Sequence, residues 1–281
     1  MLQLLKIKKN IEFNQRLCSI LEVLKSISVF QFHVLEQKLK VFEPFGQVLD
    51  TFFNSIDLKQ VNHPFLGPGQ GPTGVIAVTS DQGLLGGLNM RVITAALNVV
   101  QNEGGSLIVV GEQGKTYAKY SRIPFVAFGG IKEDQRYAQA FEIRNYLFEQ
   151  LKEGQFNGIK VVYPRSLSLV NHRIEIGTLL PLPLTQEDSG SSVAMSQFIL
   201  ESSLEHIVEY LAYLWVGQRL GDIFGMSRLA EMGARYIHLE ESTQRIQEAN
   251  KKLKLQYFKF RHEMIDQSMR ELFSARMLYA E

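Results

Sequence analysis

The chain has 281 residues, which allows one or two domains. Its 45% hydrophobic and 21% charged residues are ordinary for a globular protein. With 30 Lys and Arg against 29 Asp and Glu the formal charge is only +1, so no global field selects nucleic acid or an acidic membrane as partner.

The lone cysteine, Cys18, cannot close an internal disulfide. It fits a reducing compartment and reads as a packed thiol rather than a nucleophile. No apolar run approaches the roughly 18 residues of a membrane-spanning helix. The opening MLQLLKIKKN lacks the apolar length and cleavage site of a signal peptide. The sequence predicts a soluble protein, free to work beside a membrane within something larger.

Residues 1–56 read as helix, with Leu17, Ile20, Leu21, Leu24 and Ile27 as an apolar stripe continued by Val34, Leu35 and Leu39. Pro44 and Gly46 are candidate interruptions. Residues 57–72 hold His63-Pro64, Gly67-Pro68-Gly69 and Gly71-Pro72, a clear linker signal. Short apolar runs at Val75–Val78, Leu107–Val110, Phe125–Phe128, Ile159–Tyr163 and His172–Leu180 then alternate with helical stretches, one through about Asn98 and one over Glu133–Glu153. This predicts an inserted, Rossmann-like α/β layer over 72–184, mainly parallel, with the fifth strand antiparallel to the fourth. Tyr137, Phe141, Tyr146 and Leu147 lie roughly on one face of the longer helix. Residues 185–196 (TQEDSGSSVAMS) are a second linker, and the chain is helical again over 198–281. There Gly217, Gly221 and Gly225 recur at four-residue spacing, which lets two backbones approach closely; Arg219 and Asp222 between them exclude a membrane dimer motif.

The last stretch carries a heptad seam of Leu229, Met232, Tyr236, Leu239, Thr243, Ile246, Asn250, Leu253, Tyr257, Phe260 and Met264, about five heptads long. Between Ser227 and the end there is no proline and one glycine, Gly233. A helix with so narrow an apolar stripe needs a partner, and residues 1–56 are the obvious one. The fold class predicted is therefore α/β with a long antiparallel coiled coil of the terminal helices. Asn250, polar at a seam position, would help fix the register.

Candidate chemistry is sparse. Gly83, Gly86 and Gly87 follow a strand and precede a helix, as a phosphate cradle does. The spacing is neither G-x-G-x-x-G nor a Walker motif, and Asp81 would set a carboxylate beside any phosphate. The loop reads better as a tight crossover with Asp81 or Ser80 capping the helix. The six histidines show no ligand spacing, and no nucleophile elbow is present. Lys6, Lys8 and Lys9, and Lys251, Lys252, Lys254, Lys259 and Arg261, form local basic clusters on helical faces. Neither a cofactor nor a metal is expected.

Ser80-Asp81-x-Gly83-Leu84-x-Gly86-Gly87-Leu88-Asn89 after a short strand resembles the signature of the gamma subunit of F-type ATP synthases. Val109-Val110-Gly111-x-x-Gly114, Val162-Tyr163 and Leu179-Leu180-Pro181-Leu182 are similar to later strands of that family. Phe198-Ile199-Leu200-Glu201, Ala230-Glu231-x-x-Ala234-Arg235 and the tail from Leu255-Gln256-Tyr257 through Arg261 and Ile265-Asp266-Gln267 to Ser274 resemble its C-terminal helix. Ile7-Lys8-x-x-Ile11 and Ile20 through Lys25 to Ser28 match its N-terminal one. The chain departs from the pattern in Gln82 for Arg and Leu85 for Cys. It departs again in His262 and Asp266 for Gln and Thr, and in Ser26-Ile27-Ser28-Val29 for Met-Val-Ser-Ala. A divergent bacterial or archaeal member, of the N-type sodium-linked group or a specialised paralogue, fits those departures.

The resemblance implies a non-catalytic rotor. The terminal helices turn inside a ring of alpha- and beta-type catalytic subunits, and the α/β domain sits with an epsilon-type subunit on a membrane c-type ring, at the cytoplasmic face of the cell inner membrane. It implies partner contacts at Lys25, Arg235, Arg261, His262 and Asp266, with Ser80, Asp81, Gly83, Gly86, Gly87 and Asn89 as the signature, and no nucleic-acid partner. Lacking the inserted cysteine pair of chloroplast members, the chain is not expected to be thiol-regulated. Two other readings stay open. One is a gamma-like scaffold in a specialised ATPase machine; the other is an α/β nucleotide-binding protein dimerised by its coiled-coil ends.

Overall fold

A computed structural model describes residues 2–55, 63, 65–67, 71–182 and 203–278. The elements in order are α1 (Leu2–Ser55), β1 (Thr73–Val78), α2 (Leu88–Glu103), β2 (Gly105–Val110), α3 (Glu112–Tyr120), β3 (Phe125–Phe128), a short 3₁₀ turn (Glu133–Gln135), α4 (Arg136–Lys152), β4 (Gly158–Ser168), β5 (Asn171–Leu180) and α5 (Leu204–Leu278). Every predicted strand is present, lengthened at one or both ends except β3. Pro44 and Gly46 do not end α1. The linker at 185–196 and the re-entry at Phe198–Glu201 lie outside the described residues, as does most of the linker at 57–72.

The chain divides into two compact units, Val29–Arg235 and the pair Met1–Ser28 with Tyr236–Glu281. The first is built on a five-stranded sheet of order β3-β2-β1-β4-β5. β1 runs parallel to both β2 and β4, β3 is parallel to β2, and β5 is antiparallel to β4 with Val162 opposite Ile176. β1, β2 and the first half of β4 are Val- and Ile-rich runs because both of their faces are covered. Alternate residues go to opposite layers. Ile76, Val78, Ile108 and Val110 pack with Ala140, Ile143 and Leu147 of α4 and with Val208, Trp215 and Phe224 of α5. Val75, Ala77, Leu107 and Val109 pack with Val92, Ile93 and Ala96 of α2 and Ala118 of α3. Phe32 and Leu35 of α1 bury against Leu229 and Met232 of α5 in a smaller cluster. The sheet unit thus takes in Val29–Ser55 of α1 and Leu204–Arg235 of α5, beyond the 72–184 span expected for it. The sheet needs an apolar cover that residues 72–184 alone do not supply.

Two packing expectations change. The inner face of α4 is Ala140, Ile143, Leu147 and Phe148, whereas Phe141 is 40% exposed. The α5 glycines admit side chains rather than a backbone. A Cβ on Gly221 would lie 2.4 Å from the Tyr137 ring, and one on Gly217 would meet Arg144 and Phe141. Arg144, itself buried, stacks 3.5 Å from the centre of the Tyr213 ring.

In the second unit α1 and α5 run antiparallel, tied by Asn14 Nδ2 donating to Asn250 Oδ1 (3.4 Å) and Lys25 Nζ to Glu240 Oε2 (2.7 Å). The α5 seam follows the heptad closely. Leu239, Thr243 and Asn250 are buried, and Tyr236, Ile246, Leu253, Tyr257 and Met264 are half-buried; Phe260 is exposed. On α1 a heptad ladder of Leu4, Ile7, Ile11, Asn14, Cys18, Leu21, Lys25 and Ser28 is buried or half-buried, and Leu17, Glu22 and Leu24 beside it are half-buried too. The predicted stripe was partly the wrong one, for Ile20 is 57% and Ile27 45% exposed. The first half of α1 is apolar on more than one side, with Phe13 and Val23 also exposed. Within Gln3–Leu39 an 18-residue window reaches a mean hydropathy of 1.4, so by length and composition this helix is apolar enough to cross a membrane. This differs from the expectation that no apolar run is long enough.

Candidate functional site

The glycine signature is a structural joint. Ser80 N–H donates to Asn89 Oδ1, Asn89 Nδ2 donates to Ser80 Oγ, and Ser80 Oγ donates to the Gln82 carbonyl. Ser80 and Asn89 are both buried, so the loop after β1 is stapled to the first turn of α2. Asp81 caps a different helix from the one expected. Its Oδ1 accepts the Glu112 N–H at 2.9 Å, at the start of α3, where a carboxylate satisfies an orphan donor and suits the helix dipole. The start of α2 has no side-chain cap; Gly87 precedes it at φ 93, a left-handed conformation glycine adopts freely. Gly86 is left-handed too, and so is Leu84 at φ 65; Gly83 has open space around it. A Cβ on Gly130 would lie 2.1 Å from Asp81 Oδ1. The protein's own carboxylate therefore occupies the start of α3, and the Ser80–Asn89 bonds tie the end of the central strand β1 to α2.

Thr79 completes it. Its hydroxyl donates to the Val110 carbonyl at 2.5 Å and accepts the Gly114 N–H at 3.1 Å. On the far side of α2, Arg91 donates to His172 Nε2 at 2.8 Å. Burial, and then the Arg91 charge, push the His172 imidazole below its ordinary range.

The residues expected to touch partners fall into two groups. Lys25 and Arg235 are already engaged. Lys25 Nζ lies 2.7 Å from Glu22 and 2.7 Å from Glu240. Those two carboxylates, Glu22 first, push the ammonium well above the usual lysine range, and Lys25 holds Glu240 below the usual carboxylate range. Arg235 is buried, donating to Glu231 Oε1 at 2.7 Å while Arg228 reaches the other oxygen at 2.5 Å. Arg261, His262 and Asp266 are instead exposed on the outer turns of α5. Arg261 borders a groove lined by Leu4, Met264, Ile265, Ser268 and Met269. Glu240, Glu22 and Asn14, which complete the polar layers, were missed by the sequence reading; knowing the antiparallel register would have found them.

Two surface features surround the exposed group. The pairing of Asn14 with Asn250 sets residues 6–9 beside the segment that carries Lys254 and Lys259. Lys6, Lys8, Lys9, Lys251, Lys252, Lys254, Lys259 and Arg261 are all exposed, so the two basic clusters of the sequence merge into one belt. Beyond Met269 no described residue of α1 lies alongside α5, and Leu272 and Phe273 are 67% and 62% exposed.

Comparison with known proteins matches this architecture. The sequence model of the ATP synthase family matches residues 3–276. The ATP synthase gamma chain of Alkaliphilus metalliredigens is 26% identical over 276 residues, covering 95% of this chain and 96% of that one. The gamma chain of Desulfitobacterium hafniense is 24% identical over 273 residues, covering 95% of each. Among solved structures, the rotor of the Euglena gracilis mitochondrial ATP synthase aligns with a TM-score of 0.68 at 17% identity, over 94% of this chain and 99% of the other.

Proposed function

This chain belongs to the ATP synthase gamma family, and from that premise we propose that it is the central-stalk rotor subunit of a rotary ATP synthase or ATPase. It couples ion flow through a membrane c-type ring to ATP synthesis or hydrolysis in alpha- and beta-type catalytic subunits. The chain is not itself catalytic. It works peripherally, at the cytoplasmic face of the cell inner membrane, with an epsilon-type subunit as a further partner.

The observation that carries the reading is the antiparallel pairing of the two ends of the polypeptide, with α5 continuing beyond the start of α1. A two-helix rod is asymmetric in cross-section. Turned inside three otherwise equal catalytic sites, it makes a different contact with each, and differential contact energy is what shifts site affinities. The basic belt and the exposed Arg261, His262 and Asp266 are the surface offered to the catalytic subunits. Leu272 and Phe273 supply an apolar end that a water-excluding bearing would bury. Lys25 and Arg235 serve the rotor from inside.

Co-expression with alpha- and beta-type catalytic subunits tests this. A complex is expected in which one copy of this chain is required for ATP hydrolysis, while the chain alone binds no ATP in equilibrium dialysis. Micromolar ATP binding by the chain alone, or catalytic subunits indifferent to it, would overturn the reading.

A further inference from the structure

The seam between α1 and α5 carries two polar layers within the Met1–Ser28 and Tyr236–Glu281 unit. In one, Asn14 donates to Asn250 at 3.4 Å and Asn250 Nδ2 reaches the Ile11 carbonyl at 3.5 Å. In the other, Lys25 sits at a seam position with its side chain 19% exposed, held between Glu240 on the facing helix and Glu22 on its own. Among the described residues this is the one ion pair that joins the two helices of that unit.

Sequence resemblance places Lys25 on a partner; the geometry turns it inward. We propose that Lys25 and Glu240 form an axial register lock, which stops the two helices sliding past one another when the pair is twisted. Two strands wound together carry a twist only if they do not shear along their common axis. Apolar layers resist shear weakly against a slip of one heptad, because each apolar knob then meets another apolar hole. Polar layers do not tolerate the slip. Moved by one heptad in one direction, Lys25 comes beside Gln247 and Asn14 beside Tyr257. Lys25 then has no carboxylate on the facing helix, and the Asn pair is broken.

A seam lysine that loses its carboxylate across the seam costs free energy, which is how one polar seam residue specifies alignment. The consequence for coupling rests on the rotor reading; the lock itself does not.

The test is a charge-reversal cycle in the full chain, Lys25→Glu, Glu240→Lys and both together. Spin labels are placed at Ser19→Cys and Glu248→Cys in a Cys18→Ser background. The parent is expected to give one interhelical distance. Each single reversal is expected to add a second population displaced by up to ~10 Å, one heptad at 1.5 Å per residue, and the double reversal to restore one distance. Lys25→Met, which removes the charge without creating a like-charge clash, serves if the reversals do not fold. It is expected to broaden the distance without a new clash population.

In the assembled complex, the single reversals are expected to hydrolyse ATP while building less membrane potential, read with a voltage-sensitive dye. The double reversal is expected to recover it. Unchanged distances in the singles, or a lost potential that the double reversal does not recover, overturn the lock and return Lys25 to a partner surface. Distances that respond as expected in a chain that never assembles with catalytic subunits support the lock and overturn the rotor reading instead.

Discussion

The sheet unit and the two-helix unit solve opposite problems. In the first, Val75, Ile76, Ala77 and Val78 of β1 are all fully buried, and their neighbours in β2 and β4 nearly so. In the second, Leu239 is fully buried, but most seam positions are half-buried, and Phe13, Ile20, Val23, Leu255 and Phe258 are between 51% and 71% exposed. The sheet unit is held by burial on both faces of a layer. The rod has one narrow seam, two polar layers and much uncovered apolar surface. A part that turns inside other subunits must keep its outer surface for them, so its internal packing stays thin and its alignment depends on a few specific pairs.

The largest expected effects probe the sheet. Ile108→Ala removes a fully buried side chain and is expected to cost about 2–5 kcal/mol; denaturant unfolding followed by segment-resolved hydrogen exchange would place that loss in residues 73–182. Gly221→Val drives a branched side chain into the Tyr137 ring, where even a Cβ would approach to 2.4 Å. A loss of about 1–3 kcal/mol is expected. A substitution at either site that left the sheet's protection unchanged would break the contrast between the units.

Asp81→Ala should cost about 1 kcal/mol through the lost cap on α3. The release should appear as faster exchange at Glu112 and Gln113, not at the start of α2. If α2 frays instead, the assignment of the cap is wrong.

Acidification separates the units by pH window. His172 has its folded-state affinity for protons lowered by burial and then by Arg91. The unfolded chain therefore binds the proton more readily, and stability of the sheet unit falls as pH drops below about 6.5, the ordinary histidine value. Glu240 is held low by Lys25. Its contribution is present above the ordinary carboxylate value of about 4.3 and is lost as pH falls through its lower folded value. His172→Gln should flatten the first window and Glu240→Gln the second, each in its own unit's exchange profile. The smallest effect belongs to the rod's outer face: Ile20→Ser is expected to change the isolated chain's stability by no more than about 0.5 kcal/mol.

Local sequence was enough to place the elements. Runs such as Val75–Val78 and Leu107–Val110 are β-branched and bounded by glycine, and the stretch from Ser227 onward lacks anything to end a helix, so local preference was enough to place strands and shaft. The α5 seam was legible too, because only one stripe on that helix has heptad spacing between Leu229 and Met264. Packing between distant segments settled what local preference leaves equal. The first half of α1 offers two apolar faces, and only pairing with α5 chose the one through Leu21 over the one through Ile20. Asp81 lies between two helix starts, and the sheet's geometry gave it to α3. Lys25 looks like a surface charge in the sequence; the antiparallel register brought Glu240 to it from 215 residues away. Propensity is written in neighbouring residues, whereas the choice of partner is an energy difference between distant ones, which exists only once the chain has folded.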